Sequence, residues 1–477
     1  MEKEFSHICL KNFGILKDAN IDIAPLTVFT GANSSGKSFV AKLIHSFSSI
    51  NIDDFHRDID LSFSNTSKYF DEEHEKLFTQ LSQEISQFFK NNFNKNADAF
   101  KIPMVLFDDL LNDGIFKYFS IIFEERINEE FEENLDNLIN INHNFFEISI
   151  NNHEFLKEKG KSLDFNPALI ELVNTVYTSQ DNETITMELE NDEEFIYLKV
   201  KSTFKNRNNF KEFDSIFPIV YTSFAHSILD NVLLEKSYYI PAERSEIIID
   251  KKMLSRRVKN ESDMSKIQSD VLYNIINIDC DKKGYFYELG CEFDKEFSGI
   301  SIDVEEKDFI NNIIYSDLDS GNYISSKILS TSIHEMTLFS LYLKYVLKKG
   351  DLLIIEEPEA HLHPKNQLLL LKYIVRAVNN GLKIMLTTHS EYISDQLNNF
   401  VRLNNIPYEK CLELNYSEEN ILNAHDLHIY NFKEFSKNQY VTEKLEIDET
   451  GFFEENFTKV MDELYNETLN ITNSSIR

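Results

Sequence analysis

Cysteine is scarce in this chain: Cys9, Cys280, Cys291 and Cys411 stand far apart and no two form a CxxC pair. Structural zinc needs thiols at short spacing, so such a site is excluded, and the pattern fits a reducing compartment. Positive charge is also short, with 48 Lys and Arg against 80 Asp and Glu and a formal net charge of −32. A surface of that sign repels phosphate backbones, which excludes broad nonspecific coating of DNA and leaves any nucleic-acid contact to a local basic patch. Long apolar runs are missing as well. No window reaches the roughly 18 residues of a spanning helix, and Met1 to Ser6 is acidic and polar rather than a basic lead into an apolar segment. The expectation is a cytoplasmic protein with no membrane contact of its own.

What is present is ample core material, 42% hydrophobic and 13% aromatic residues in 477, enough for two or three domains. Residues Phe5 to Leu10, Ala19 to Ile23 and Leu26 to Thr30 read as short strands, the last running into a glycine-bounded loop and then a helix carrying Phe39, Val40, Leu43, Ile44 and Phe47 on one face. From 51 to 234 the composition turns to Asn, Asp, Glu, Lys and Phe, with helical patterns such as Glu73 to Phe89 beside strand-like runs such as Thr184 to Leu189. This stretch reads as an inserted mixed α/β domain. Its broken patterning excludes long coiled-coil arms, which need sustained heptads. Beyond it come a strand Ser237 to Ile240, a strand-rich stretch Lys282 to Tyr315, an apolar helix Thr337 to Leu347, a buried strand Leu352 to Ile355, a helix Pro364 to Val378 and a strand Lys383 to Thr388. Alternating strands and helices predict an α/β fold with a mostly parallel sheet. The expected division is a discontinuous head over 1–50 and 235–400, the insertion over 51–234, and a C-terminal α/β extension over 401–477.

Gly31-Ala32-Asn33-Ser34-Ser35-Gly36-Lys37-Ser38 matches GxxxxGK[ST] between a strand and a helix, the context a phosphate loop requires. Its glycines let the backbone wrap so that N–H groups and the helix N-terminus face an anion. Lys37 then reaches the β- and γ-phosphates of ATP, and Ser38 ligates magnesium. Leu352-Leu353-Ile354-Ile355 followed by Glu356-Glu357-Pro358-Glu359 delivers carboxylates at the C-terminal end of a buried strand, the pattern of a Walker B segment. Glu356 is assigned to the metal and Glu357 to the attacking water. His389, ending a third buried strand, either hydrogen-bonds the γ-phosphate or simply closes a strand at the surface.

The order of these segments, with Thr387-Thr388-His389-Ser390 and Glu356-Glu357-Pro358-Glu359-Ala360-His361-Leu362-His363-Pro364, resembles the RecF/SMC/OLD-like branch of ABC ATPases over about half the chain. Within it the wording is similar to ATPase subunits of prokaryotic antiviral systems such as Septu, PARIS and Gabija. The resemblance implies an ABC-type P-loop head with an antiparallel N-terminal β subdomain, two heads sandwiching two ATP molecules, and Leu329-Ser330-Thr331-Ser332-Ile333-His334-Glu335 as the signature segment. Ser330, Thr331 and Ser332 would then meet the partner's nucleotide, although Ser332 stands where glycine is common, and the same residues also read as a helix N-cap. Glu356 replaces a more frequent aspartate. The magnesium-binding glutamine has no clear position, since Gln80, Gln83 and Gln87 fall on the solvent side of an inserted helix. His361 and His363 fit a D-loop at the head interface better than a metal site.

Arg244 reads as a partner of a phosphate or of a neighbouring acid, and Lys251, Lys252, Arg256, Arg257 and Lys259 form the obvious basic run. Three functions compete. The first is an ATP-driven switch that controls a partner effector, a nuclease, in prokaryotic defence. The second is a RecF-like DNA-maintenance ATPase binding DNA directly. A transporter motor is the weakest, since its glycine-rich signature is missing.

Overall fold

The computed structural model describes residues 6–48, 72–91, 100–103, 145–150, 153–158, 164–165, 175–178, 184–191, 195–202, 236–249, 265–307, 310–453 and 463–472. The chain divides into two compact units, one made chiefly of Met1–Ser48 and Glu235–Arg477, the other of Ser49–Asn128 and Glu133–Leu234.

In the first unit, strands β1 (Ser6–Phe13) and β2 (Leu16–Ile23) form an antiparallel hairpin, and β3 (Leu26–Gly31) leads into helix α1 (Lys37–Ser48). After the second unit, β4 (Ser237–Ile240) is followed by the short helix α2 (Arg244–Ile249), helix α3 (Tyr287–Phe297) and the hairpin β5 (Ile300–Lys307) and β6 (Ile310–Asp317). Helix α4 (Thr331–Leu341), strand β7 (Leu352–Glu356), helix α5 (Pro364–Asn379), strand β8 (Lys383–Thr387) and helix α6 (Glu391–Arg402) come next. Strands β9 (Leu427–Ser436) and β10 (Gln439–Lys444) complete the sheet.

Within this unit the strand order is β4, β7, β8, β3, β9, β10, β2, β1. The five strands from β4 to β9 are parallel to one another, whereas β9 with β10 and β1 with β2 are antiparallel. Strands buried on both faces must be apolar throughout, and Leu352, Leu353, Ile354 and Ile355 are all at most 3% exposed. Each contributes about 1.5–3 kcal/mol through burial.

Residues 401–477 read from the sequence as an extension beyond a finished head. Instead, β9 pairs with β3 from Leu427↔Leu26 to Phe432↔Gly31, so this segment supplies the neighbour of the phosphate-loop strand. The sheet would be open at β3 without it. The expected strand-rich stretch from 282 to 315 is corrected too: it begins with α3, whose Leu289, Gly290, Phe293 and Asp294 share one buried face at helical spacing.

The apolar helix expected from 337 starts earlier, at Thr331, and ends at 341, where a wider π turn covers Tyr342–Val346. Helix α4 is buried without interruption from Ile333 to Leu341. Most buried polar groups have hydrogen-bond partners. Tyr315 and Thr337 place their hydroxyls 3.1 Å apart, and Lys344 in the π turn donates to Asp294 at 2.6 Å and to the carbonyl of Ile302 at 2.8 Å. The lysine thereby ties the β5–β6 hairpin to α3.

The second unit is mixed α/β. Phe145–Ile150, His153–Glu158 and Asp164–Phe165 pair in succession as antiparallel strands, and Phe100–Pro103, Phe195–Ser202, Thr184–Asn191 and Thr175–Thr178 form a four-stranded sheet in that order. Its helix Glu72–Asn91 buries Phe78, Leu81 and Ile85 and exposes Gln80, Gln83 and Gln87, so none of these glutamines faces inward. Among the described residues no helix is long and apolar enough to cross a membrane.

Candidate active site

The sheet register brings the two acidic and phosphate-loop segments to one edge. Thr387 pairs with Phe29 on one side and with Glu356 on the other, so β3, β8 and β7 end level with one another. Adjacent strands lie about 4.8 Å apart. The phosphate loop leaving β3 and the carboxylates leaving β7 therefore flank the single strand that carries His389.

The loop from 31 to 38 has the turns its sequence implies. Gly31 (φ 133°), Ser34 (φ 60°) and Gly36 (φ 101°) all adopt positive φ, the tightly wrapped backbone that a loop needs to turn its amides to an anion. Asn33 and Ser34 are exposed, Ser35 and Gly36 are buried, and Ser38 sits half-buried in the first turn of α1. A Cβ on Gly31 would lie 2.7 Å from the carbonyl oxygen of Phe432, a contact imposed by β9. Lys37 is 5% exposed and donates to the carbonyls of Gly31 at 3.1 Å and Ala32 at 2.8 Å. Burial lowers its pKa to about 8, against the opposing pull of Glu357 and Glu359. Both acids act on the lysine through space, although more than 300 residues of chain intervene.

Glu356 is buried: its Oε2 accepts from the Ala242 amide at 3.3 Å, and its Oε1 has no hydrogen-bond partner. Glu357 projects outward from a backbone with φ 41°, a conformation rare for a non-glycine residue and frequent at functional sites. Its amide donates to the Thr387 carbonyl at 2.9 Å and to the Thr387 hydroxyl at 3.2 Å, which holds the turn. His389 Nε2 lies 3.9 Å from Glu357 Oε1, too far for a direct hydrogen bond. Burial and the nearby Lys37 push the His389 pKa down, and Glu357 opposes them less strongly. Both influences favour the neutral imidazole, a form that can donate from one nitrogen.

One contributor escaped the sequence reading. Glu359 accepts from the Thr388 hydroxyl at 2.8 Å and from the His389 amide at 2.7 Å, bracing the histidine from behind, and burial raises its pKa. Only its place two residues after Glu357 hinted at this. Arg244, read as a phosphate contact or a partner of an acid, pairs with Glu335 at 3.0 Å, both side chains being fully buried, and is not in the phosphate loop.

Ser330 precedes α4 as its cap residue but makes no side-chain capping bond, and its hydroxyl lies 2.9 Å from that of Ser332. Ser330 and Thr331 are exposed, and Ser332 is half-buried. The N-cap reading of these hydroxyls is therefore corrected, because they turn toward each other rather than to the helix amides. His363 caps α5, its Nδ1 accepting from the Lys365 amide at 3.3 Å. Among the described residues no three His, Cys, Asp or Glu side chains gather as a metal cage. Lys251, Lys252, Arg256, Arg257 and Lys259 lie outside the described residues.

A family model for the AAA ATPase domain matches residues 4–394. The chain belongs to that family. The match begins before β1 and ends in α6, so it spans both the phosphate loop and the Glu356-Glu357 turn of this AAA ATPase domain. No curated protein matches the chain. Among solved structures the chain is similar to an SMC head bound to the C-terminal winged-helix domain of ScpA, at 11% identity and a TM-score of 0.37, with 92% of this chain and 98% of that one covered. The SMC head domain of Thermotoga maritima gives 10% identity and a TM-score of 0.34, covering 93% and 100%. A Pyrococcus furiosus Smc head with an extended coiled coil, bound to the C-terminal domain of ScpA, gives 10% and 0.33, covering 96% and 98%.

The donor set fits a magnesium nucleotide. A tightly wrapped loop, a buried lysine held by the loop's carbonyls and a buried carboxylate oxygen without a partner suit an anion and a hard cation together.

Proposed function

We propose that this AAA ATPase domain binds ATP at Gly31, Asn33, Ser34, Ser35, Gly36, Lys37 and Ser38 and hydrolyses it to ADP and phosphate with Glu357 and His389. The level ends of β3, β8 and β7 support the reading, because the phosphate loop and the carboxylate turn leave the two strands that flank β8. Ser38 and Glu356 would hold magnesium, which supplies charge neutralisation among the phosphate oxygens. Glu357, half-buried and fixed by its strained turn, orients the attacking water and accepts its proton. His389 donates to the γ-phosphate, and Lys37 neutralises the charge that builds on the transferred group.

The exposed Ser330 and Thr331 and the half-buried Ser332 at the start of α4 serve the nucleotide of a second copy, giving an ATP-dependent head-to-head pair. On the resemblance of its motifs to antiviral ATPase subunits, this pair acts in the cytoplasm as a sensor whose closure controls an effector protein, a nuclease. Purified chain should hydrolyse ATP in magnesium, and Lys37→Ala should neither bind nor hydrolyse it. Unchanged turnover in that variant would overturn the assignment, and DNA cleavage by the purified chain alone would overturn the division of labour with an effector.

A further inference from the structure

Arg244 is the largest fully buried side chain of the described residues, and its guanidinium spends nearly all its donors on two functional segments. Nε donates to the carbonyl of Glu335 at 3.1 Å and lies 3.0 Å from the Glu335 carboxylate, five residues into the segment that opens with Ser330. Nη1 donates to the carbonyl of Glu356 at 2.9 Å, and Nη2 to those of Glu357 at 3.3 Å and Pro358 at 3.4 Å. The planar fork thus crosses from helix α4 to the turn that carries the acidic pair. A left-handed glutamate persists only where its surroundings over-determine it, and the Glu357 peptide is held on its N–H side by Thr387 and on its carbonyl side by Arg244. The same residue's neighbour, Ala242, donates its amide to the Glu356 carboxylate. Lysine cannot reproduce the fork, since it presents a compact ammonium on a flexible stem.

We propose that Arg244 is a positioning residue that fastens the Glu356-Glu357-Pro358 backbone to helix α4, so that the aim of the Glu357 carboxylate depends on where the Ser330 end of that helix sits. The inference rests on the ATPase reading above and names its coupling element. ATP closing on the serine-rich end of α4 then acts on hydrolysis through one buried guanidinium, without touching the phosphate loop.

The test compares Arg244→Lys and Glu335→Gln on two backgrounds, wild type and Glu357→Gln, reading ADP affinity, melting temperature, kcat and KM. On the wild-type background kcat should fall about tenfold or more, with KM and ADP affinity within about threefold. On the Glu357→Gln background either substitution should change the residual rate by less than about twofold, because its route of action is already removed. An equal loss on both backgrounds, or none on the wild-type one, overturns the proposal. If Arg244→Lys does not fold, Glu335→Gln, nearly isosteric, decides by the same two comparisons. A wild-type chain that hydrolyses no ATP overturns the ATPase reading itself, an outcome distinct from either of these.

Discussion

At the scale of single residues, the behaviour of Lys37 is the most quantitative consequence of the site. Its pKa is about 8 in the folded chain against an ordinary 10.5, so between these values the folded nucleotide-free protein binds fewer protons than the unfolded one. Stability of the nucleotide-free chain should therefore rise with pH across that window. ATP needs the charged lysine, so affinity should fall above about pH 8 while binding takes up a proton. Calorimetry in buffers of different ionisation enthalpy measures that uptake, and a pH-independent affinity between 7 and 9.5 would contradict it. Gly31→Ala should abolish nucleotide binding and cost about 1–3 kcal/mol, since the methyl meets the Phe432 carbonyl in a backbone region closed to L residues. Much at this scale was legible. The phosphate loop and the acidic pair are contiguous in sequence, and each announces its chemistry by spacing. The particular partners of Arg244 at 335 and of Glu359 at 388–389 were not assignable, because they are remote or backbone groups, which no spacing reveals.

At the scale of elements, the sheet depends on a strand that comes late in the chain. Ile429 is fully buried in β9 opposite Val28, so Ile429→Ala should lower stability by about 2–5 kcal/mol, read as a drop in the urea midpoint with an unchanged slope. A chain ended at residue 400 should fail to give a cooperative unfolding transition, whereas a detachable extension would leave one intact. The sequence hid β9 because His428, Tyr430 and Asn431 interrupt the apolar run that marks a doubly buried strand. In the fold His428 accepts its place through Asp22 and Lys444, which satisfy its ring. Helix α3 was missed for a related reason. Gly290 and acidic residues dilute its periodicity, and the glycine is needed where a Cβ would strike the Lys344 side chain at 2.7 Å.

At the scale of the whole molecule, the alternation of strands and helices already implied a mostly parallel sheet, and the family match from 4 to 394 covers the segments that carry it. Strand order was beyond the sequence, since it is set by long-range pairing, whereas the change of composition between 51 and 234 already marked off the stretch that forms most of the second unit. An ATP-dependent pair of heads makes a demand on the exposed start of α4. Ser332→Glu should leave ATP binding within about threefold and weaken ATP-driven pairing by tenfold or more, since the carboxylate would face the partner's phosphates. Sedimentation with a non-hydrolysable ATP analogue reads this directly, and undiminished pairing would remove the signature segment from the interface.

The central claim is that the phosphate loop and the acidic pair serve one magnesium nucleotide, and Glu357→Gln tests it most directly. ATP affinity and steady-state turnover should be measured on the same preparation. Affinity should stay within a few-fold of wild type while turnover falls by about 100-fold or more. Turnover equal to wild type would mean that the carboxylate and the phosphate loop do not share a reaction.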